Sequence, residues 1–202
     1  MKKLFLVGAV ALFASVNAQL AQGTTFITGS VGYQGQKNNN NDVTNDSFSV
    51  IPTVGYFVAP NVAIGVGVGY TSESEKGKEF NGLNTVDYKN TTSAFVVEPL
   101  VRKYWNVSDN FLLFGQLSVP MAFGNEKAEI NGQEIGKDKF SAFGVVVKPG
   151  IDYILAPNWT IEATLGEFGY RSAKFKDSKS VDNYNFGLNL GSVSFGVKYL
   201  FK

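Results

Sequence analysis

The chain has 202 residues, no cysteine, no histidine, 18 basic against 17 acidic side chains, and 14% aromatic residues. Without cysteine there is no disulfide framework and no thiol chemistry, and without histidine no Ser-His or other imidazole-based catalysis. Balanced charge without a basic stripe excludes a nucleic-acid partner, and beyond the N-terminal segment no apolar run reaches the length of a spanning helix.

Residues 1–18 read as a secretory signal peptide. Lys2 and Lys3 form a positive n-region, Leu4 to Ala14 is apolar, and Val16-Asn17-Ala18 places small residues where a signal peptidase reads. Cleavage after Ala18 removes two of the lysines and turns the net charge from +1 to −1. Residues 19–202 then form one domain of ordinary size.

Along that domain a period of two replaces helical spacing. Eight strands are predicted at about 24–34, 47–58, 62–73, 91–105, 111–124, 140–155, 159–171 and 184–201. In the second, Phe48, Val50, Pro52, Val54 and Tyr56 share one face. In the third, Val62, Ile64, Val66, Val68 and Tyr70 oppose Ala63, Gly65, Gly67 and Gly69. Glycine weakens a strand unless something needs its space, as in a narrow barrel crowded by long side chains. Gly65-x-Gly67-x-Gly69 is no phosphate loop, because no helix follows it. The fifth strand carries Phe111, Leu113, Leu117, Val119, Met121 and Phe123 on one face, and the sixth Phe143, Val145, Val147, Pro149, Ile151 and Tyr153. In the last strand the apolar parity changes between Leu190 and Val193, which predicts a β-bulge near Gly191-Ser192.

Connections alternate in length. Ala59-Pro60-Asn61, residues 106–110 and Ala156-Pro157-Asn158 are tight, while 35–46, 74–90, 125–139 and 172–183 are long and polar. Short turns on one side and long loops on the other are the asymmetry of an outer-membrane barrel, with short periplasmic turns and long extracellular loops. The Asx-rich stretch from Asn38 to Asp46 lacks the ligand order of a calcium loop and reads as a solvated outer loop. No metal ligand set or cofactor motif is found.

Aromatic residues gather at the strand ends. Tyr56, Trp105, Phe111, Tyr153, Trp159, Tyr199 and Phe201 are expected to form a periplasmic girdle, since amphipathic rings prefer the bilayer interface. Tyr33, Phe48, Tyr70, Phe95, Phe123 and Phe186 would form the outer one. A soluble sandwich or lipocalin-like barrel would need neither girdle.

These features resemble the small outer-membrane β-barrel family of the OmpX and OmpA-barrel type. The resemblance rests on the N-terminal signal, the eight amphipathic strands and the final Val193-x-Phe195-x-Val197-x-Tyr199-x-Phe201 strand. Gly55-Tyr56-Phe57-Val58-Ala59-Pro60-Asn61-Val62-Ala63-Ile64-Gly65 looks like the versions common in Bacteroidetes. The resemblance implies an all-β, antiparallel up-and-down transmembrane barrel in the outer membrane of a Gram-negative cell. It further implies contact with outer-membrane lipids and lipopolysaccharide, and recognition of the last strand by the barrel-assembly machinery.

The face opposite the lipid carries the buried ionisable groups Glu98, Arg102, Lys148, Asp152, Glu162 and Lys198, with Glu167 of uncertain parity. Arg102, Asp152, Glu162 and Lys198 are expected at one depth, and Glu98 and Lys148 one step higher. On the lipid side each charge would cost about 2–4 kcal/mol at midplane, so an inward, paired network is expected. Such a network either fills a closed barrel or gates a narrow pore. Eight strands enclose just enough space for side chains, which favours the filled barrel. Related lipid-modifying barrels depend on histidine, so a non-enzymatic role is expected, exercised through the extracellular loops toward a surface ligand.

Overall fold

The protein's structure is a computed structural model that describes residues 20–39, 42–80, 84–176, 178–187 and 193–201. The predicted signal peptide and the predicted bulge at Gly191-Ser192 lie outside the described residues, as does the side chain of Phe186. Among the described residues there are eleven strand segments: β1 Thr25–Asn38, β2 Val43–Ala59, β3 Val62–Phe80, β4 Thr85–Asn106, β5 Phe111–Ser118, β6 Met121–Ile130, β7 Gln133–Ala156, β8 Trp159–Leu165, β9 Glu167–Phe175, β10 Val181–Gly187 and β11 Val193–Phe201. All pairings are antiparallel, and β1 pairs both β2 and β11, which closes the sheet on itself.

The segments wind as eight strands. β5 and β6 together fill the place between β4 and β7, while β8 and β9 both follow β7. The break between β5 and β6 has a local cause, because Pro120 has no N–H to give the ladder. Val119 N still donates to Pro99 O (3.0 Å) and Gly144 N to Pro120 O (2.9 Å), so the wall continues across the break.

A second break falls at Gly166, whose φ of 97° suits only glycine. The outward parity changes there. Trp159 and Ile161 face out on odd numbers before it, whereas Tyr170, whose ring lies 6.1 Å from the outward Phe143, faces out on an even number after it. Glu167 and Arg171 therefore turn inward, bonded to each other through Arg171 Nη2 and Glu167 Oε2 at 2.8 Å. The last strand differs in parity in the same way between Tyr184 of β10, which stacks on Tyr170, and Phe195 of β11.

The long segments predicted as loops are corrected by the structure, because most of their length is strand. Register runs unbroken through Lys37↔Thr44, Lys76↔Lys89, Lys127↔Lys137 and Val181↔Ala173. The ladder needs backbone groups rather than apolar side chains, so a hairpin held in register by the barrel keeps pairing above the membrane. At one tip Asn131 (φ 49°) and Gly132 (φ 77°) form a two-residue turn of the type that matches strand twist. Asn131 N donates to Asp87 O (2.7 Å), and its Oδ1 accepts from Asp87 N (3.0 Å), tying this hairpin to the end of β4.

Candidate functional site

The inward residues of the barrel form three levels. At the periplasmic end lies an apolar floor. Leu20, Phe26, Phe57, Ala63, Tyr104, Leu112, Phe114, Ile154 and Leu200 are all buried there. The rings form a chain across the lumen, with centroids 5.6 Å apart for Phe26–Phe57 and Phe57–Tyr104 and 5.9 Å for Tyr104–Phe114. Glycines opposite the rings are a steric requirement: a Cβ on Gly55 would run into Phe26, and one on Gly150 into Phe114. Leu20 closes the floor from the N-terminal side, where its carbonyl accepts from Asn61 N at 3.1 Å.

Directly above sits the lower ionic layer. Arg102 Nη1 donates to Glu162 Oε2 at 2.5 Å, and Lys198 Nζ contacts Asp152 Oδ2 and lies 3.7 Å from Glu162 Oε2. Lys198 and Asp152 are completely buried. Thr28 Oγ1 donates to Glu162 Oε1 (3.0 Å), and Tyr104 OH accepts from both Arg102 (3.2 Å) and Lys198 (3.1 Å). The Arg102 guanidinium also lies over the Phe114 ring, 4.2 Å from its centroid, so cation and aromatic floor are in direct contact.

The upper layer is Lys148 with Glu98, Nζ to Oε1 at 2.6 Å. Gln116 bridges the layers. Its Oε1 accepts from Arg102 Nε and Nη2 (2.9 and 2.6 Å), and its Nε2 donates to Glu98 Oε1 (3.3 Å) and Ser118 Oγ (2.8 Å). A buried ion is tolerable only with partners on its remaining donors and lone pairs, and Gln116 supplies them between the two pairs. A chamber of about 510 Å³ opens outward from these layers and reaches down to the lower one; its lining includes Thr53, Glu98, Arg102, Lys148, Glu162 and Glu167. Farther out, the inner face of the protruding strands carries Glu73, Glu75 and Glu126 around a bowl of about 460 Å³.

The structure thus brings together all six predicted lumen residues, with Arg102, Glu162, Lys198 and Asp152 at one depth and Glu98 and Lys148 above them. Sequence reading missed Gln116, Tyr104, Arg171 and the inward aromatic floor. Gln116 was legible in principle, because it is the single polar residue between Leu112, Phe114 and Ser118 on the inward parity of β5. The floor was not, because Phe57 and Tyr104 sit beside girdle aromatics in sequence and differ from them only in the face they take.

The seven predicted girdle residues point outward at the floor's level. Thr25 is opposite both Tyr56 and Phe201, Phe111 is opposite Tyr153, and Tyr199 is opposite Trp159. The Trp159 and Tyr199 rings are 4.8 Å apart, and the Tyr199 and Phe201 rings 4.9 Å. Trp105 is half exposed beside them. At the other edge Tyr33 faces Phe48, Tyr70 faces Phe95, and Phe95 faces Phe123. Ten residues separate Phe95 from Trp105, which at a strand rise of about 3.3 Å and a tilt of about 40° is roughly 25 Å, the height of an outer-membrane apolar band. Among the described residues no group of three or more acidic side chains is placed to hold a metal.

The outer membrane protein beta-barrel domain family matches residues 4–201, and the chain belongs to it. Its place is accordingly the outer membrane. The N-terminal beta-barrel domain of Pseudomonas aeruginosa OprF is similar in structure, at 12% identity and a TM-score of 0.44, covering 89% of this chain and 98% of that one. Neisserial surface protein A is similar at 15% identity and a TM-score of 0.44, over 88% and 99%. The attachment invasion locus protein Ail of Yersinia pestis, solved with the heparin analogue sucrose octasulfate, has 16% identity and a TM-score of 0.37, over 89% and 99%. No curated protein matches the sequence.

Proposed function

We propose that this outer-membrane barrel is a closed, non-catalytic surface protein whose protruding sheet meets partners outside the cell. The observation that carries the reading is the stack inside the lumen: a buried aromatic floor beneath two ion-paired layers joined by Gln116. An ion crossing it would have to break paired, desolvated contacts and then pass between Phe26, Phe57, Tyr104 and Phe114. With the periplasmic end of the lumen closed by this stack, the surfaces left for recognition are the lipid belt and the extended hairpins of β2, β3, β4, β6 and β7. The belt takes outer-membrane lipid and lipopolysaccharide. The last strand, ending at Phe201, serves the barrel-assembly machinery, and the leader 1–18 brings the chain to the periplasm. The hairpins, hydrogen-bonded as sheet rather than loop, offer a stiff platform to a protein or glycan ligand at low ordering cost.

The test is conductance in a planar bilayer after a gel run with and without boiling has verified the folded barrel. The wild type and Lys198→Met are both expected to stay silent. Discrete steps in the wild type that Lys198→Met alters would replace this reading with that of a small gated pore.

A further inference from the structure

The geometry points to an intramolecular isopeptide bond between the Lys198 side-chain nitrogen and the Asp152 side-chain carbon, formed with Glu162 as proton carrier. Lys198 comes from β11 and Asp152 from β7, two strands apart, and β8 between them supplies Glu162. Asp152 lies opposite Glu162 in the β7–β8 register, and Lys198 lies opposite Thr160 in the β8–β11 register. The three inward side chains meet over one point of the wall. Lys198 Nζ touches Asp152 Oδ2, and Glu162 Oε2 is 3.7 Å from the same nitrogen.

Three features separate this trio from an ordinary buried ion pair. The first is dryness. Lys198 and Asp152 have no exposed surface, Nζ is 4.8 Å from the Tyr104 ring centre and 5.6 Å from that of Phe26, and Leu112 is opposite Asp152 in register. In a site that excludes water, condensation is favoured over hydrolysis. The second is the unpartnered Asp152 Oδ1, a fully buried oxygen that accepts no hydrogen bond. A bare carboxylate oxygen in that position is costly; as an amide carbonyl the same atom carries far less charge to leave unsatisfied. The third is that Glu162 is held by other groups. Arg102 and Thr28 bond its two oxygens, so it keeps its place beside the reacting pair whatever happens to Lys198.

The chemistry balances without oxidant or reductant. A proton passes from the Lys198 ammonium to the Asp152 carboxylate, leaving an amine beside a carboxylic acid. The nitrogen lone pair attacks the Asp152 carboxyl carbon, and the C–N bond forms as the carbonyl π pair moves to oxygen. Glu162 takes the surplus proton from nitrogen and delivers it to the hydroxyl. The C–O bond breaks, one water leaves, and Glu162 returns to its starting state. The amide N–H that remains is in position to donate to Tyr104 OH, which already accepts from this nitrogen at 3.1 Å. The product replaces two buried charges by one neutral group and ties the closing strand β11 covalently to β7 across β8.

Intact mass spectrometry of the mature protein taken from the outer membrane tests this directly. The wild type is expected one water lighter than its sequence, with the tryptic peptide containing Asp152 joined to the C-terminal peptide and Lys198 uncleaved. Lys198→Arg, which keeps the charge but not the nucleophile, is expected at full mass, and so is Glu162→Gln. A wild-type chain at full mass, with trypsin cutting after Lys198 in the unfolded protein, would overturn the bond even if neither variant folds. Water loss that persists in Glu162→Gln would overturn the role of Glu162.

Discussion

Arg102→Met should be among the most damaging single changes in this barrel. Arg102 donates to Glu162 at 2.5 Å, to Gln116 at 2.9 and 2.6 Å and to Tyr104 at 3.2 Å, with its side chain only 4% exposed. Its removal leaves the buried Glu162 carboxylate with Thr28 and a more distant Lys198. Breaking a buried pair on one side costs about 3–5 kcal/mol. The orphaned Gln116 oxygen adds about 1–3 kcal/mol, partly offset because Lys198, 3.7 Å from Glu162, can draw closer. A net loss of about 4 kcal/mol is expected. Arg102→Met combined with Glu162→Met removes both charges and should return to within about 2 kcal/mol of the wild type. Urea titration in lipid vesicles, followed by the fluorescence of the two tryptophans, Trp105 and Trp159, measures both variants. A loss for the single variant below about 1 kcal/mol, the size of an exposed ion pair, would mean that water from the chamber solvates Glu162 and that the lower ionic layer does not hold the barrel together.

Gly55→Val should cost about 1–3 kcal/mol by overpacking against Phe26, and Phe26→Leu in the same chain should recover part of it; additive losses in the same urea titration would show that the ring and the glycine are not in contact. Replacing the Asn131-Gly132 turn by Ala-Val forces a β-branched side chain into the φ of 77° that Gly132 holds and removes the Asn131 side chain that accepts from Asp87 N, so protease added outside cells should cut within 125–139 several-fold faster, whereas equal rates would return that segment to a loop. Lys127 is held above its ordinary value by a hydrogen bond to Glu129 (3.0 Å) and by the charges of Glu129 and Glu134. Its support to this hairpin is therefore complete at neutral pH, below the ordinary lysine value, and is lost as pH rises past the raised one. Side-chain NMR should place the Lys127 titration lower in Glu129→Gln, and an unchanged midpoint would remove Glu129 as the cause.

How much of this was legible beforehand follows from what a strand encodes. A period of two states which side chains share a face, and the lipid excludes charge from one of the two faces, so Glu98, Arg102, Lys148, Asp152, Glu162 and Lys198 could only point inward. The same rule put rings such as Trp105 and Trp159 on the outward face, because they recur at the ends of apolar runs. Periodicity fails where the period slips or where both faces are polar. Glu167 was undecidable until Gly166 showed where the parity changes. Residues 35–46 and 125–139 looked like loops because a polar ladder has no hydrophobic contrast to read, although Asn131-Gly132 marked one hairpin tip.

Face, compartment and the paired character of the lumen were thus set by the order of residues alone, through local geometry and the cost of charge in lipid. Which ion meets which was decided by closure of the sheet. Only when β11 returns beside β1 and β8 does Lys198 arrive at Asp152, 46 positions away, and only then do Phe26, Phe57, Tyr104 and Phe114 become a floor. Contacts across a barrel depend on strand stagger and on the space left by small residues such as Gly55 and Gly150. Those are properties of all eight strands at once and of none of them singly.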